Sequence, residues 1–123
     1  MKKRVLITGV SGMVGSHLLD FLYENTDWDL FGLLRWRSPL ENIQSHIDNI
    51  NKKKRVFLEY GDIRDTLSIN EVIKNVKPDY VFHLAAQSFP KTSFSSPLDT
   101  YDTNIQGTTN VLEAIKNYSK NAK

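Results

Sequence analysis

The chain has 123 residues, of which 40% are hydrophobic and 24% charged, and its formal net charge is +2. One globular domain of ordinary size fits these values; a disordered chain, a polybasic nucleic-acid binder and a protein held to anionic membranes do not. No cysteine is present, which excludes disulfides and thiolate metal sites, and no apolar run approaches the ~18 residues of a membrane span.

In chain order, Arg4-Val5-Leu6-Ile7 is a short apolar run closed by Thr8-Gly9, the pattern of a buried parallel strand. It is too short for a signal peptide and leads into glycine rather than a cleavage site, so a cytoplasmic protein is expected. Val14, Leu18, Leu19 and Leu22 recur at helical spacing and predict a helix from about Gly12 to Glu24. Leu30-Phe31-Gly32-Leu33-Leu34 is a second strand, and Ile43, Ile47 and Ile50 after Pro39 suggest a short helix. The basic run Lys52-Lys53-Lys54-Arg55 reads as a solvated loop ahead of the third strand, Arg55–Tyr60, rather than as a phosphate or nucleic-acid patch. Thr66 or Ser68 is placed to cap a helix carrying Ile69, Val72, Ile73 and Val76, which Pro78 ends. Tyr80-Val81-Phe82-His83-Leu84 is a fourth strand. A long final helix opens at Ser95-Ser96-Pro97, with Tyr101, Ile105, Thr108, Val111, Leu112 and Ile115 expected on its inner face.

Helical segments between strands imply parallel neighbours joined by crossovers. Right-handed crossovers then give an α/β, doubly wound, Rossmann-type sheet of strand order 3-2-1-4. A ligand crevice is expected at the carboxyl ends of strands 1 and 4, where the winding reverses.

Thr8-Gly9-Val10-Ser11-Gly12-Met13-Val14-Gly15 sits at that place, between a strand and a helix. Gly9 permits a sharp exit from the strand, Gly12 lets backbone approach a pyrophosphate, and Gly15 lets the helix pack closely. Free amides of Ser11, Met13 and Val14 and the positive end of the helix would face the phosphates. No Lys-Ser or Lys-Thr follows, which excludes a Walker-type loop. His17, His46 and His83 show no ligand spacing, so no metal site is expected. Where NAD enzymes place an acid after strand 2, this chain has Arg35-Trp36-Arg37-Ser38. Arg35, Arg37 and Ser38 suit a 2′-phosphate by charge and geometry, so NADP is expected, with NAD as the alternative. Solvated arginines that serve only solubility are the plainer reading of the same residues. Trp36 is expected to pack partly buried, or else to stack beside an adenine.

The spacing Gly-x-x-Gly-x-x-Gly resembles the extended, sugar-nucleotide branch of the short-chain dehydrogenase/reductase superfamily. Gly61-Asp62-Ile63-Arg64-Asp65 looks like the branch's Gly-Asp-(Leu/Ile)-x-Asp segment, which implies that Asp62 and Ile63 meet the adenine. Leu84, Ala85, Ala86, Gln87 and Ser88, after His83, resemble the strand 4 signature, whose small residues let the cofactor lie close. Asn104-Ile105-Gln106-Gly107-Thr108 resembles the Asn-x-x-Gly-Thr of the long helix, which places Asn104 in the cofactor site and implies a homo-oligomer through that helix. Ala86-Gln87-Ser88, Ser93-Phe94 and Arg35 look most like the GDP-mannose 4,6-dehydratase family and its reductase relatives. Trp36 and Asp99 depart from it: Trp36 stands where members commonly repeat arginine, and Asp99 where some carry a cofactor-contacting tyrosine.

The superfamily's chemistry uses a tyrosine four residues before a lysine. Tyr23, Tyr60, Tyr80, Tyr101 and Tyr118 are followed at that distance by Asp27, Arg64, Leu84, Ile105 and Ala122. The chain is therefore expected to be the N-terminal part only of an NAD(P)-binding domain, incomplete at its C-terminal side, without catalytic residues or a substrate domain. The expected activity of the whole is dehydration of a GDP-mannose-type sugar nucleotide. An epimerase or reductase, and a non-catalytic NADP(H)-binding module, are the alternatives.

Overall fold

A computed structural model describes all residues 1–123. Alternation within the strands explains how one sheet buries two faces. In β1 (Arg4–Thr8), Val5 and Ile7 point to one side and Leu6 to the other. In β2 (Asp29–Leu34), Leu30 and Leu34 oppose Phe31 and Leu33 in the same way. β3 (Val56–Tyr60) pairs with β2, β4 (Tyr80–His83) pairs with β1, and every pairing is parallel. The order is 3-2-1-4, as expected.

On the Val5/Ile7 face lies α1 (Met13–Asn25), which contributes Leu19 and Leu22, together with Ile43 from a 3₁₀ segment (Glu41–His46). One turn of α-helix, α2 (Ile47–Asn51), continues that segment. On the Leu6 face lie α3 (Thr66–Val76) and the final helix. Nineteen hydrophobic residues are buried, split between these two layers. The central strands β1 and β2 are therefore buried on both faces, which is why they read as continuous apolar runs.

Several elements differ from expectation. Asp65, not Thr66 or Ser68, caps α3: its carboxylate accepts from the amides of Leu67 and Ser68 at 3.0 and 3.2 Å. Lys77 ends that helix in the left-handed region, one residue before Pro78. β4 stops at His83, and an unforeseen helix, α4 (Pro90–Ser95), follows its exit loop. The final helix is not uniform. α5 (Pro97–Tyr101) passes through a π-helical turn (Asp102–Gln106) into α6 (Gly107–Tyr118). There the Gly107 amide bonds to the Asp102 carbonyl five residues back. The extra residue rotates the helix face, so Gly107, Asn110, Val111 and Ala114 are buried while Tyr101, Ile105 and Leu112 face outward.

Arg55 corrects the reading of the basic run. Lys52, Lys53 and Lys54 are solvated, but the Arg55 guanidinium donates to the carbonyls of Trp28, Tyr23 and Thr26 and stacks over the Tyr23 ring. It closes the start of β3 against the end of α1 and the turn into β2. At the edge of β4, Val81 and Asp79 each share a backbone hydrogen bond with Lys123, so that edge is partly occupied rather than bare. No helix is long and apolar enough to cross a membrane.

Candidate dinucleotide crevice

Where β1 ends, Gly9 adopts φ +68°, a conformation side chains disfavour, and the chain turns sharply into α1. A Cβ on Gly15 would run into the Gly9 carbonyl and lie 2.9 Å from Val10 Cα. The close partner of Gly15 is thus the loop's own backbone rather than the sheet. Gly12 differs: a Cβ there would meet only the Gly9 carbonyl oxygen, at 3.3 Å. Its amide donates to that same oxygen at 3.1 Å, and its carbonyl receives Ser16.

These bonds leave a defined remainder. The amides of Ser11, Met13, Val14 and Gly15 donate to no acceptor in the chain. All four residues line a crevice of about 620 Å³ at the carboxyl ends of the strands. Unsatisfied amides at a helix start, with the helix dipole behind them, form a site for an anion.

Most of the expected site residues meet in this crevice. Gly9, Ser11, Gly12, Met13, Val14 and Gly15 form its floor, and Arg35 and Ser38 stand where β2 ends. Asp62 and Ile63 follow β3, and Leu84, Ala85, Ala86, Gln87 and Ser88 follow β4. Arg37 is outside it; with φ +68° it lines an adjoining recess with Arg35, Trp36, Ser38 and Tyr60. Trp36 is 75% exposed, not packed, and meets the Tyr60 ring edge-on at 5.5 Å. Asn104 does not line the crevice either. It grips the β4 exit loop from behind, with its Oδ1 accepting from the Gln87 amide at 2.7 Å and its Nδ2 donating to the Gln87 carbonyl at 2.9 Å. The Gln87 side chain continues this clamp, donating to Thr100 Oγ1 and accepting from the Phe89 amide.

Charge in the crevice is divided. Arg35 and Arg37 are exposed and make no side-chain hydrogen bond or ion pair. Arg64, which sequence reasoning left without a role, donates to Asp62 at 2.8 Å and to Asp99 at 3.3 Å. Hydrogen bonding from Arg64 holds the Asp62 carboxyl below the ordinary carboxylate range, against a smaller opposing effect of burial. His83, half-buried at the end of β4, is held below the ordinary imidazole range by that burial. No cluster of acidic, histidine or cysteine side chains is arranged to hold a metal ion.

Known proteins resemble this chain in sequence and in fold. The family model for GDP-mannose 4,6 dehydratase matches residues 6–123. A GDP-mannose 4,6-dehydratase from Vibrio cholerae is 40% identical over 94% of this chain and 32% of its own length. A UDP-glucose 4-epimerase from Mycoplasma genitalium is 33% identical over 99% of this chain and 34% of its own. Among solved structures, the Thermus thermophilus UDP-glucose 4-epimerase in complex with NAD superposes with a TM-score of 0.78 at 29% identity, over 94% of this chain and 34% of that one. The chain thus spans about a third of the length of the relatives it matches. Since the match runs through nearly every residue, from the middle of β1 to Lys123, the chain belongs to the GDP-mannose 4,6-dehydratase family.

Proposed function

We propose that the crevice binds a nicotinamide dinucleotide, NADP in preference to NAD, as the cofactor-holding part of a GDP-mannose-type 4,6-dehydratase. The four unpaired amides at the start of α1 carry this reading, because they offer a pyrophosphate donors that nothing in the chain uses. Gly9, Gly12 and Gly15 keep side chains out of that space. Arg35, Arg37 and Ser38 supply cations and a hydroxyl to a 2′-phosphate. Asp62 and Ile63 border the adenine end, and Leu84–Ser88 border the nicotinamide end, with Asn104 holding that loop in place. When bound, a nicotinamide supplies reversible hydride transfer.

In this reading residues 1–123 are the N-terminal part of the dinucleotide-binding domain, and the sugar-nucleotide domain lies outside them. The match to about a third of the length of longer relatives supports this. A tyrosine–lysine pair at four-residue spacing is absent from the sequence, so these residues alone hold cofactor without turning over a sugar nucleotide. A cytoplasmic location and self-association through the final helix belong to the same proposal. The epimerase relatives favour one second reading, a sugar-nucleotide epimerase built on the same crevice.

Calorimetry with NADP and NAD tests the site. Because a Cβ at Gly12 meets little of the chain, Gly12→Val should leave the fold largely intact and reduce dinucleotide affinity more than about tenfold. Unchanged affinity in a folded Gly12→Val protein would remove the assignment.

A further inference from the structure

Thr8 is fully buried at the end of β1, and its hydroxyl oxygen receives two loop amides, Leu84 at 2.9 Å and Ala85 at 3.0 Å. A hydroxyl has two acceptor lone pairs and one proton. With both lone pairs taken, the proton is what remains for the contact to His83 Nδ1 at 2.8 Å. Nδ1 is therefore an acceptor and carries no hydrogen. The ring proton sits on Nε2, which faces Thr108 Oγ1 at 3.0 Å. The Thr108 hydroxyl in turn donates to the Asn104 carbonyl at 2.6 Å. Each donor has one acceptor, and the direction of every bond follows from the two amides at Thr8.

Both ends of this chain of bonds grip the same short segment. One end holds Leu84 and Ala85 through Thr8; the other reaches Asn104, whose side chain holds both backbone groups of Gln87. Ala85 also abuts the glycine loop, with its N and Cα 3.0 Å from where a Cβ on Gly9 would lie. A shift of this segment therefore reaches both walls of the crevice.

We propose that His83 is a positioning residue: as the neutral Nε2–H imidazole, it fixes the Leu84–Ser88 wall against β1 and the final helix, and its protonation loosens that wall. The proposal rests on the dinucleotide reading of the crevice for its functional consequence. Protonated His83 would direct a hydrogen from Nδ1 at Thr8 Oγ1. Three donors would then compete for two lone pairs, so an amide of Leu84 or Ala85 must let go or the ring must turn away. Around the ring, β1 presents Thr8 and the final helix presents Thr108; no charged group on β1, β4, the exit loop or that helix contributes to its depressed proton affinity, which burial accounts for.

The test combines nitrogen-resolved NMR of the His83 ring, amide exchange along residues 84–88 and NADP calorimetry, each followed with pH. The parent chain should show the Nε2–H tautomer at neutral pH. On acidification, the protection of the Leu84 and Ala85 amides, taken relative to the intrinsic exchange rate at each pH, should fall with the midpoint of His83, and NADP affinity should fall about tenfold, while protection within α1 stays unchanged. His83→Leu should show the loose loop and weak binding already at neutral pH. His83→Asn, whose side-chain oxygen can accept from Thr8, should recover most of both losses. An Nδ1–H tautomer, loop exchange that ignores His83, or Leu and Asn variants that behave alike would overturn the proposal. If the parent chain binds neither dinucleotide, the reading of the crevice fails, while tautomer and exchange still decide the role of His83.

Discussion

Asp62 accepts from the Arg64 amide at 2.9 Å and from its guanidinium at 2.8 Å, and Arg64 reaches on to Asp99. That pairing compensates the acidic groups at the rim and leaves Arg35 as a crevice cation without a partner. Arg35 feels Asp62 only through space, as one of the weaker influences on that carboxyl. An unpaired, exposed guanidinium at the end of β2 has its donors available for a phosphate. The parent chain should accordingly bind NADP more tightly than NAD. Charge-assisted bonds of this kind are worth about 1.5–3 kcal/mol, so Arg35→Ala should narrow the preference by about tenfold or more in competition calorimetry. Equal affinity of the parent for both dinucleotides would contradict this. Arg35 was legible in the sequence because its place follows from counting past the glycine loop. Arg64 was not, because its second partner, Asp99, lies 35 residues away and is met only in the folded chain.

At the level of elements, the strands and α1 could be read from periodicity because each has one pattern and a clear stop. The final helix could not. A single period runs through Tyr101, Ile105, Val111, Leu112 and Ile115, and nothing in that pattern marks the π turn at Asp102–Gln106. The turn also presents Asn104 to Gln87 and Thr108 to His83, so the local irregularity and the grip on the crevice loop have one cause. The same stretch carries a row of outward apolar residues: Leu98, Tyr101, Ile105 and Leu112 are each more than half exposed. Water-exposed apolar rows on a helix tend to be covered in the working protein. If a second copy covers this row, sedimentation across a dilution series should show mass rising with concentration, and Ile105→Asp should hold the chain monomeric. A monomer at every concentration would remove self-association through this helix.

Across the whole molecule, the strand order puts the glycine loop of β1 beside the exit loop of β4, and the crevice opens between them. That geometry was legible in the sequence from the parallel, right-handed crossovers taken together with the glycine loop between β1 and α1. What the crossover rule cannot supply is the hydrogen-bond chain that holds the two loops in register, since Thr8 and His83 are 75 residues apart. Holding a cofactor is also separable from turning over a sugar. With no tyrosine four residues before a lysine, the purified 123-residue chain, supplied with NADP and GDP-mannose, should form no dehydrated product by mass spectrometry. Detectable turnover would mean that proton transfer runs through other residues of this chain.

The four unpaired amides at the start of α1 carry the dinucleotide assignment most directly. Amide NMR during an NADP titration reads them one by one. Saturable shifts centred on Ser11, Met13, Val14 and Gly15, with smaller ones at Arg35 and along Leu84–Ser88, are the predicted result. No saturable shift, or shifts confined to surfaces away from the glycine loop, would contradict the assignment of this crevice to a dinucleotide.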